Sequence, residues 1–153
     1  MNTMIRILFI CHGNICRSPM AEYIMKKIVH DHHMSDLFEI SSAATSYEEI
    51  GNDIYPPAKR ILKANNVPFG IHHARHMEPS DEAYYDYIVG MDDENMYYLR
   101  RMYRNSPKIS LLLDCTEHPR EVSDPWYTRN FQRAYNDIYE GCTALLEHIM
   151  KET

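Results

Sequence analysis

The sequence predicts an α/β fold with three layers, in which a four-stranded parallel sheet carries helices on both faces. Four short runs rich in β-branched, aromatic and aliphatic residues alternate with segments of helical periodicity. Near the C-terminus, apolar residues recur at intervals of three and four, which is typical of a helix that buries one stripe against a sheet. Strands that alternate with helices form βαβ units, whose strands run parallel and whose crossovers are right-handed.

The expected elements follow one another along the chain. Strands are predicted at residues 5–10, 38–42, 87–90 and 109–113. Helices are predicted from 19 to about 29, from 56 to about 65, at 79–84, and from 93 to about 104. The last helix is defined by an apolar stripe made of Phe131, Ala134, Tyr135, Ile138, Cys142, Leu145, Leu146 and Ile149.

Length and charge limit the classes of protein to consider. The 153 residues fit one domain, with no Gly/Ser tract, internal repeat or block of like charge. A net charge of −6 argues against a general nucleic-acid binder. The N-terminal apolar run of about six residues is too short to span a membrane, so we expect no membrane insertion and a cytoplasmic protein. The four cysteines form no C-x-x-C pair, so no metal site is expected.

The segment that joins the first strand to the first helix reads Cys-His-Gly-Asn-Ile-Cys-Arg-Ser-Pro over residues 11–19. Gly13 and Asn14 tolerate positive φ, and Ser18 and Pro19 are expected at the N-cap and first position of the helix. The free N–H groups and partial positive charge at such a helix start favour an anion. We expect the Cys11 thiol, placed in this field beside Arg17, to ionise below its free pKa of about 8.5.

The spacing of this segment indicates a phosphate cradle with a nucleophile at its base. Five residues between Cys11 and Arg17 suffice to wrap successive N–H groups around one tetrahedral dianion. The guanidinium of Arg17 can hold two phosphoryl oxygens and keep them as they flatten in the transition state. A buried inert cysteine, or a redox or metal pair with Cys16, is the alternative interpretation. The predicted phosphate-binding residues are His12, Gly13, Asn14, Ile15, Cys16, Arg17 and Ser18.

A second chemical feature is the pair Asp124-Pro125. A departing alcohol or phenol oxygen leaves phosphorus more readily when it receives a proton, which a carboxyl group above the cradle can supply. Pro125 stiffens the loop, and Trp126 and Tyr127 can form an aromatic wall suited to a flat leaving group. Since Asp-Pro is also ordinary turn chemistry, these residues alone do not decide whether Asp124 is the acid.

The pattern Cys11-x5-Arg17-Ser18, together with Asp124-Pro125-Trp126-Tyr127, resembles the low-molecular-weight protein tyrosine phosphatases over residues 5 to about 149. The resemblance implies a flavodoxin-like sheet of the phosphatase type and hydrolysis of phosphotyrosine in proteins, peptides and small aryl phosphates. It implies a phosphocysteine on Cys11, phosphate binding by Arg17, Asp124 as general acid and then base, and no cofactor. The expected partners are tyrosine-phosphorylated proteins or peptides, and we expect a monomer or weak dimer.

The resemblance also assigns supporting residues. Asn14, Ser18, Ser42 and His72 are expected to hold the phosphate loop in shape, and Ser18 to ease departure of the thiolate. Tyr47, Glu48, Trp126 and Tyr127 are expected at the substrate rim. Asp92 continues the likeness, although a helix cap would also explain it. Ala44 stands where many relatives have glycine, which makes a positive φ doubtful there.

Several alternatives remain open. Phosphoarginine phosphatases resemble this loop but carry threonine at the position of Ile15, so isoleucine favours phosphotyrosine. Arsenate reductases share the loop but need two further neighbouring cysteines, whereas Cys115 and Cys142 are far apart in sequence. A non-catalytic phosphate-binding module is the third possibility. Cys16 either captures oxidised Cys11 or is a small buried residue, and His12 is either a donor at the rim or an exposed spectator.

Overall fold

The computed structural model describes residues 4–153, and its centre is a sheet of four parallel strands in the order β2-β1-β3-β4. The strands are β1 (Ile5–Cys11), β2 (Phe38–Ala44), β3 (Tyr87–Gly90) and β4 (Ile109–Leu111). The helices are α1 (Arg17–Asp31), α2 (Pro56–Ala64), α3 (Asp81–Tyr84), α4 (Asp93–Tyr103), α5 (Pro125–Thr128) and α6 (Phe131–Glu152). Two 3₁₀ turns lie at Ser35–Leu37 and Leu112–Cys115.

Alternation of side chains along β1 divides the core into two parts. Ile7 and Phe9 pack into the larger part, with the buried faces of α1, α2 and α6. Leu8 and Ile10 point to the opposite face and pack with the buried residues of α4. All four side chains are fully buried, as expected for a parallel sheet covered on both faces. The predicted three-layer α/β fold is therefore confirmed.

Several element ends differ from the predictions. β2 continues to Ala44, which is regular strand paired with Cys11. β4 ends at Leu111, because the chain then enters a 3₁₀ turn whose Asp114 carboxylate accepts a hydrogen bond from the Leu111 N–H. The segment after Asp124, predicted as a loop, contains the short helix α5.

The predicted start of the first helix was also wrong. α1 begins at Arg17 with Cys16 as its N-cap, so Ser18 and Pro19 are the second and third helical residues. Proline is tolerated there because the first N–H groups of a helix have no partner in the helix. The hydroxyl of Ser18 does not cap α1, since it is engaged by Cys11 and Asn14.

The strand order places the carboxyl end of β1 at a switch point. β1 lies between β2 and β3, and ligands of open α/β sheets bind outside the carboxyl ends of strands where the order reverses. Cys11 is the last residue of β1, and the loop to α1 opens at this edge. Within residues 4–153, no helix has the length and apolar character needed to cross a membrane.

Candidate active site

The Cys11 side chain lies at the base of a crevice at the carboxyl end of the sheet. Its sulfur lies 3.0 Å from Ser18 Oγ and accepts a hydrogen bond of 3.3 Å from the Asn14 N–H. Ser18 Oγ already accepts from Asn14 Nδ2 at 2.8 Å, so its own hydrogen is free to point at the sulfur. Two donors therefore converge on this sulfur, an arrangement that stabilises negative charge there.

Asn14 shapes the loop through both its backbone and its side chain. Its φ of 62° is in the left-handed region, as expected for an asparagine, whereas Gly13 has no positive φ. The side-chain Oδ1 accepts a hydrogen bond from the Arg75 N–H at 3.1 Å, and the carbonyl accepts one from His72 Nε2 at 2.6 Å. Asn14 is completely buried, so these bonds are shielded from water.

Arg17 is held in a fixed orientation beneath the crevice. Only 2% of its surface is exposed, and Nη1 donates to Asp92 Oδ2 at 2.7 Å and to the Val122 carbonyl at 2.9 Å. Burial alone would lower the pKa of Arg17, but the negative charges of Cys11, Asp92 and Asp124 raise it. The guanidinium therefore stays charged in the interior.

The start of α1 adds to the positive character of this site. Among the described residues, no side chain caps the first turn of α1. The first N–H groups of such a helix start carry partial positive charge and lack acceptors within the helix. Together with Arg17, they form an anion-binding cradle, and we call Cys11, Asn14, Arg17 and Ser18 the floor of the crevice.

Asp124 lies at the crevice mouth as the N-cap of α5. Its Oδ1 accepts a hydrogen bond of 3.0 Å from the Trp126 N–H, and its Oδ2 is 3.4 Å from Arg17 Nη2. Its side chain is 24% exposed, so it can meet both a bound substrate and water. The structure thus brings Cys11, Arg17 and Asp124 to one crevice of about 140 Å³.

The walls of the crevice come from three segments. Ile15 and Cys16 belong to the loop, Glu48 and Glu49 come from the segment after β2, and Trp126 and Tyr127 come from α5. Trp126 is braced by Tyr55, with ring centroids 5.0 Å apart. Tyr127 is 81% exposed. We call His12, Glu48, Trp126 and Tyr127 the rim.

Two predicted site residues lie elsewhere. The ring of Tyr47 stacks on that of His76 with centroids 3.8 Å apart and does not line the crevice. The hydroxyl of Ser42 donates to Glu22 Oε1 at 2.7 Å, so it supports α1 and not the phosphate loop. Both assignments are corrected by a partner that is remote in sequence.

His12 makes contacts that the sequence did not indicate. Its Nε2 lies 2.9 Å from Glu48 Oε2, and its Nδ1 lies 3.2 Å from Glu94 Oε1 in the first turn of α4. Burial would lower the pKa of His12, but hydrogen bonds and charge from Glu48 and Glu94 raise it. His12 therefore contacts acidic side chains from two separate segments.

Two contacts at the crevice had no sequence signal, and a third, made by Asp92, had one. The Val122 carbonyl holds Arg17, and Glu49 packs against Gly13, where an added Cβ would lie 3.3 Å from Glu49 Cγ. Asp92 is both an N-cap of α4, bonded to Asn95 N, and the partner of Arg17. The family likeness and the capping pattern both indicated Asp92 correctly, because the same carboxylate caps α4 and binds Arg17.

Of the three remaining cysteines, Cys115 and Cys142 lie outside the crevice and Cys16 lies in it. Cys142 is fully buried on α6, where its thiol lies 3.8 Å from the Ala21 carbonyl, and Cys115 is exposed in a 3₁₀ turn. Cys16 lines the crevice, and burial together with the nearby Cys11 and Asp124 raises the pKa of its thiol. Within the described residues 4–153, no group of His, Cys, Asp and Glu side chains could hold a metal ion.

A sulfur at the end of a central parallel strand, a helix start without a side-chain cap and a buried arginine together form the anion-binding site of an α/β phosphatase. The family model described as "Low molecular weight phosphotyrosine protein phosphatase" matches residues 6–153. The chain belongs to this family, and it is a protein tyrosine phosphatase.

Relatives of known name agree with this family along nearly the whole chain. Low molecular weight protein-tyrosine-phosphatase YfkJ of Bacillus subtilis is 38% identical over 153 residues, covering 97% of this chain and 98% of the relative. PtpA of Staphylococcus aureus (strain MRSA252) is 32% identical over 151 residues, covering 97% and 96%. The crystal structure of YfkJ superposes with a TM-score of 0.95 at 37% identity, covering 99% of this chain and 98% of that chain.

Proposed function

We propose that Cys11, Arg17 and Asp124 carry out phosphotyrosine hydrolysis in this protein through a phosphocysteine. The observation that carries the proposal is their meeting in one crevice, with Arg17 contacting the Asp124 carboxylate beside the sulfur. Substrates are tyrosine-phosphorylated proteins or peptides and small aryl phosphates. No cofactor takes part, because Arg17 and the first N–H groups of α1 supply the positive charge that the transferred phosphoryl group needs.

In the first step, the Cys11 sulfur attacks phosphorus, an S–P bond forms and the P–O bond to the phenol breaks. Arg17 and the N–H groups bind the equatorial oxygens as the phosphoryl group flattens. The protonated Asp124 donates its proton to the departing oxygen, which leaves as a neutral phenol. The hydrogen bond from Ser18 Oγ to the sulfur favours a stable leaving thiolate in the step that follows.

In the second step, water attacks the phosphocysteine. Asp124 is then a carboxylate and accepts a proton from that water, an O–P bond forms and the S–P bond breaks. The products are phosphate and the Cys11 thiolate, and Asp124 is again protonated. The partial exposure of Asp124 supports this role, because one carboxyl group must reach both the leaving oxygen and solvent.

Ile15 and Trp126 support an aryl substrate. Both line the crevice, and the half-exposed Trp126 ring offers a flat apolar surface beside the acid. Phosphoarginine carries a charged guanidinium in place of the phenyl ring, which an isoleucine side chain does not solvate. We therefore expect higher kcat/KM for a phosphotyrosine peptide than for the matched phosphoarginine peptide, with Ile15→Thr narrowing the ratio.

The nucleophile is tested by turnover of p-nitrophenyl phosphate in the presence of EDTA. We expect wild-type activity to survive the chelator and Cys11→Ser to abolish it, because serine is un-ionised and far less nucleophilic. Cys115→Ser, which changes an exposed cysteine outside the crevice, is the matched control and should keep full activity. Full activity of Cys11→Ser would refute the assignment.

The acid is tested by varying the leaving group. Asp124→Ala should lower kcat roughly 10²–10⁴-fold for a phenyl phosphate, the usual contribution of general acid catalysis. The loss should be smaller for p-nitrophenyl phosphate, whose leaving group needs less protonation. Equal losses for the two substrates would instead indicate that Asp124 only shapes the crevice.

A further inference from the structure

His12 occupies an unusual place for a charged side chain. It follows Cys11 directly, yet its ring leaves the floor and reaches two carboxylates, Glu48 Oε2 and Glu94 Oε1, that belong to separate segments. Glu48 comes from the segment between β2 and α2, and Glu94 from the start of α4. Contact with both carboxylates indicates that His12 holds these two segments together.

The hydrogen-bond count at this ring defines its charge state. A neutral imidazole has one N–H and can donate to one carboxylate only. Both ring nitrogens of His12 face carboxylate oxygens, at 2.9 and 3.2 Å, so both bonds form only in the imidazolium. When the ring loses its proton, one of the two carboxylates loses its donor.

Backbone hydrogen bonds already fix the first residues after β2, so the contact with His12 affects mainly the Glu48 side chain further along this segment. The Thr45 and Ser46 N–H groups donate to the carbonyls of Cys11 and His12, each at 3.0 Å, so the base of this wall is already fixed. Glu48 lies further out and is 71% exposed. Its side chain therefore depends on His12 for its position in a way that the base of the wall does not.

We propose that His12 is a positioning residue, whose imidazolium ties Glu48 of the crevice wall to Glu94 at the start of α4 and strengthens the binding of phosphorylated substrates while it is protonated. The inference rests on the proposed function, since it concerns substrate binding at the same crevice. The other titratable and charged groups that line this crevice are Cys11, Cys16, Arg17, Glu49 and Asp124.

The direction of the effect follows from the charges. Glu48, Glu49 and Glu94 repel a phosphate dianion, and the imidazolium offsets part of that field. Deprotonation removes this positive charge and releases one glutamate, and both changes raise KM. Because Glu48 and Glu94 raise the pKa of His12 above its ordinary 6.5, the change is expected above that pH.

The tie is measured first without turnover, by NMR titration of the His12 ring. The resonance is assigned by its loss in His12→Gln. We expect a midpoint above 6.5 in the wild type, a lower midpoint in Glu94→Gln, and no change in Asp93→Asn. Asp93 is the matched control, because it is an exposed acid in the same first turn of α4. A midpoint at or below 6.5, or one unmoved by Glu94→Gln, would overturn the proposal.

The consequence for substrates is measured as KM against pH for a phosphotyrosine peptide. Both enzymes are measured on the same peptide and differ at position 12 alone, so the difference between the two profiles reports the change at His12. We expect wild-type KM to rise roughly two- to five-fold relative to His12→Gln between pH 6 and pH 8, the scale of partly exposed ion pairs. Parallel profiles would contradict the proposal even if Cys11→Ser had confirmed the nucleophile.

Discussion

The floor and the rim of the crevice differ in how they are built. Every residue of the floor lies within residues 11–18, is nearly or fully buried and is bonded to other protein groups. The rim comes from three separate segments, and its aromatic side chains are 42% and 81% exposed. The difference implies that changes to the floor alter both reaction and stability, whereas changes to the rim act mainly on substrate binding.

Replacing Arg17 tests the floor most severely. Lysine has one nitrogen and cannot contact Asp92, the Val122 carbonyl and two phosphoryl oxygens together. We expect Arg17→Lys to lower kcat/KM for p-nitrophenyl phosphate about 10²–10³-fold, the cost of removing an oxyanion donor. Arg133→Lys, on the exposed face of α6, is the control. A kcat/KM of Arg17→Lys within tenfold of wild type would contradict the stronger dependence of the reaction on the floor than on the rim.

Asn14 separates backbone conformation from side-chain bonding. Both Asn14→Gly and Asn14→Ala lose the bonds to Ser18 and to Arg75 N, and each should destabilise the protein by about 1–3 kcal/mol. Alanine also has to adopt a φ of 62°, so it should be less stable than glycine by about 1 kcal/mol. Urea unfolding measures both differences. Equal stabilities of the two variants would show that the loop relaxes out of the left-handed region.

Asp53 extends the floor by one further layer. Its Oδ1 accepts a hydrogen bond from the His72 N–H, and the bond to Lys59, together with backbone donors, lowers the pKa of Asp53 to about 2. A carboxyl group with a depressed folded pKa stabilises the protein above its unfolded pKa of 3.8 and loses this contribution as pH falls through about 2. Wild type should therefore unfold at a higher urea concentration than Asp53→Asn. The difference between the two urea midpoints should be constant above pH 5 and shrink towards pH 2.5.

Asp36→Asn is the control for Asp53, because it removes an exposed carboxylate from the 3₁₀ turn before β2. A gap for Asp53→Asn that grows on acidification would have the wrong sign for a depressed pKa. The size of the gap should be modest, since the Asp53 side chain is 38% exposed.

Tyr127 should show the smallest effect, and only on binding. The Tyr127 ring is 81% exposed, so its removal eliminates few packing contacts of the folded protein. We expect Tyr127→Ala to raise KM for a phosphotyrosine peptide roughly two- to five-fold, with kcat within twofold and a change in unfolding free energy below about 0.5 kcal/mol. Tyr127→Phe keeps the aromatic surface and should match wild type. A large loss of stability in Tyr127→Ala would contradict the inference that changes to the rim act mainly on substrate binding.

The same division explains what could be predicted from the sequence. The floor is a contiguous segment between a strand and a helix, so spacing and residue chemistry indicated Cys11 and Arg17, and the fold class followed from periodicity. Asp124 lies more than one hundred residues away, and only the family resemblance assigned it to the site, where the structure places it 3.4 Å from Arg17. Contacts between segments so far apart depend on the packing of the whole sheet, which local patterns do not encode.

The wrong assignments have the same origin. The family resemblance assigned Tyr47 to the rim, but its ring stacks on His76 of another segment. Ser42 lies on the expected strand, but Glu22 of α1 takes its hydroxyl. Ser18 and Pro19 read as a helix start by residue type, yet the thiol and Asn14 compete for the serine. In each case the side chain is engaged by a partner that its residue type and local pattern did not indicate.

The two carboxylate oxygens of Asp124 contact different groups, and this limits which acidic residue the position can accept. Oδ1 holds the amide of Trp126, while Oδ2 faces Arg17. In the proposed reaction the mobile hydrogen therefore resides on Oδ2. Glutamate has a similarly acidic group but is one methylene longer, so it could not both cap the Trp126 N–H and contact Arg17. We therefore expect Asp124→Glu to unwind α5 and to displace the Trp126 indole.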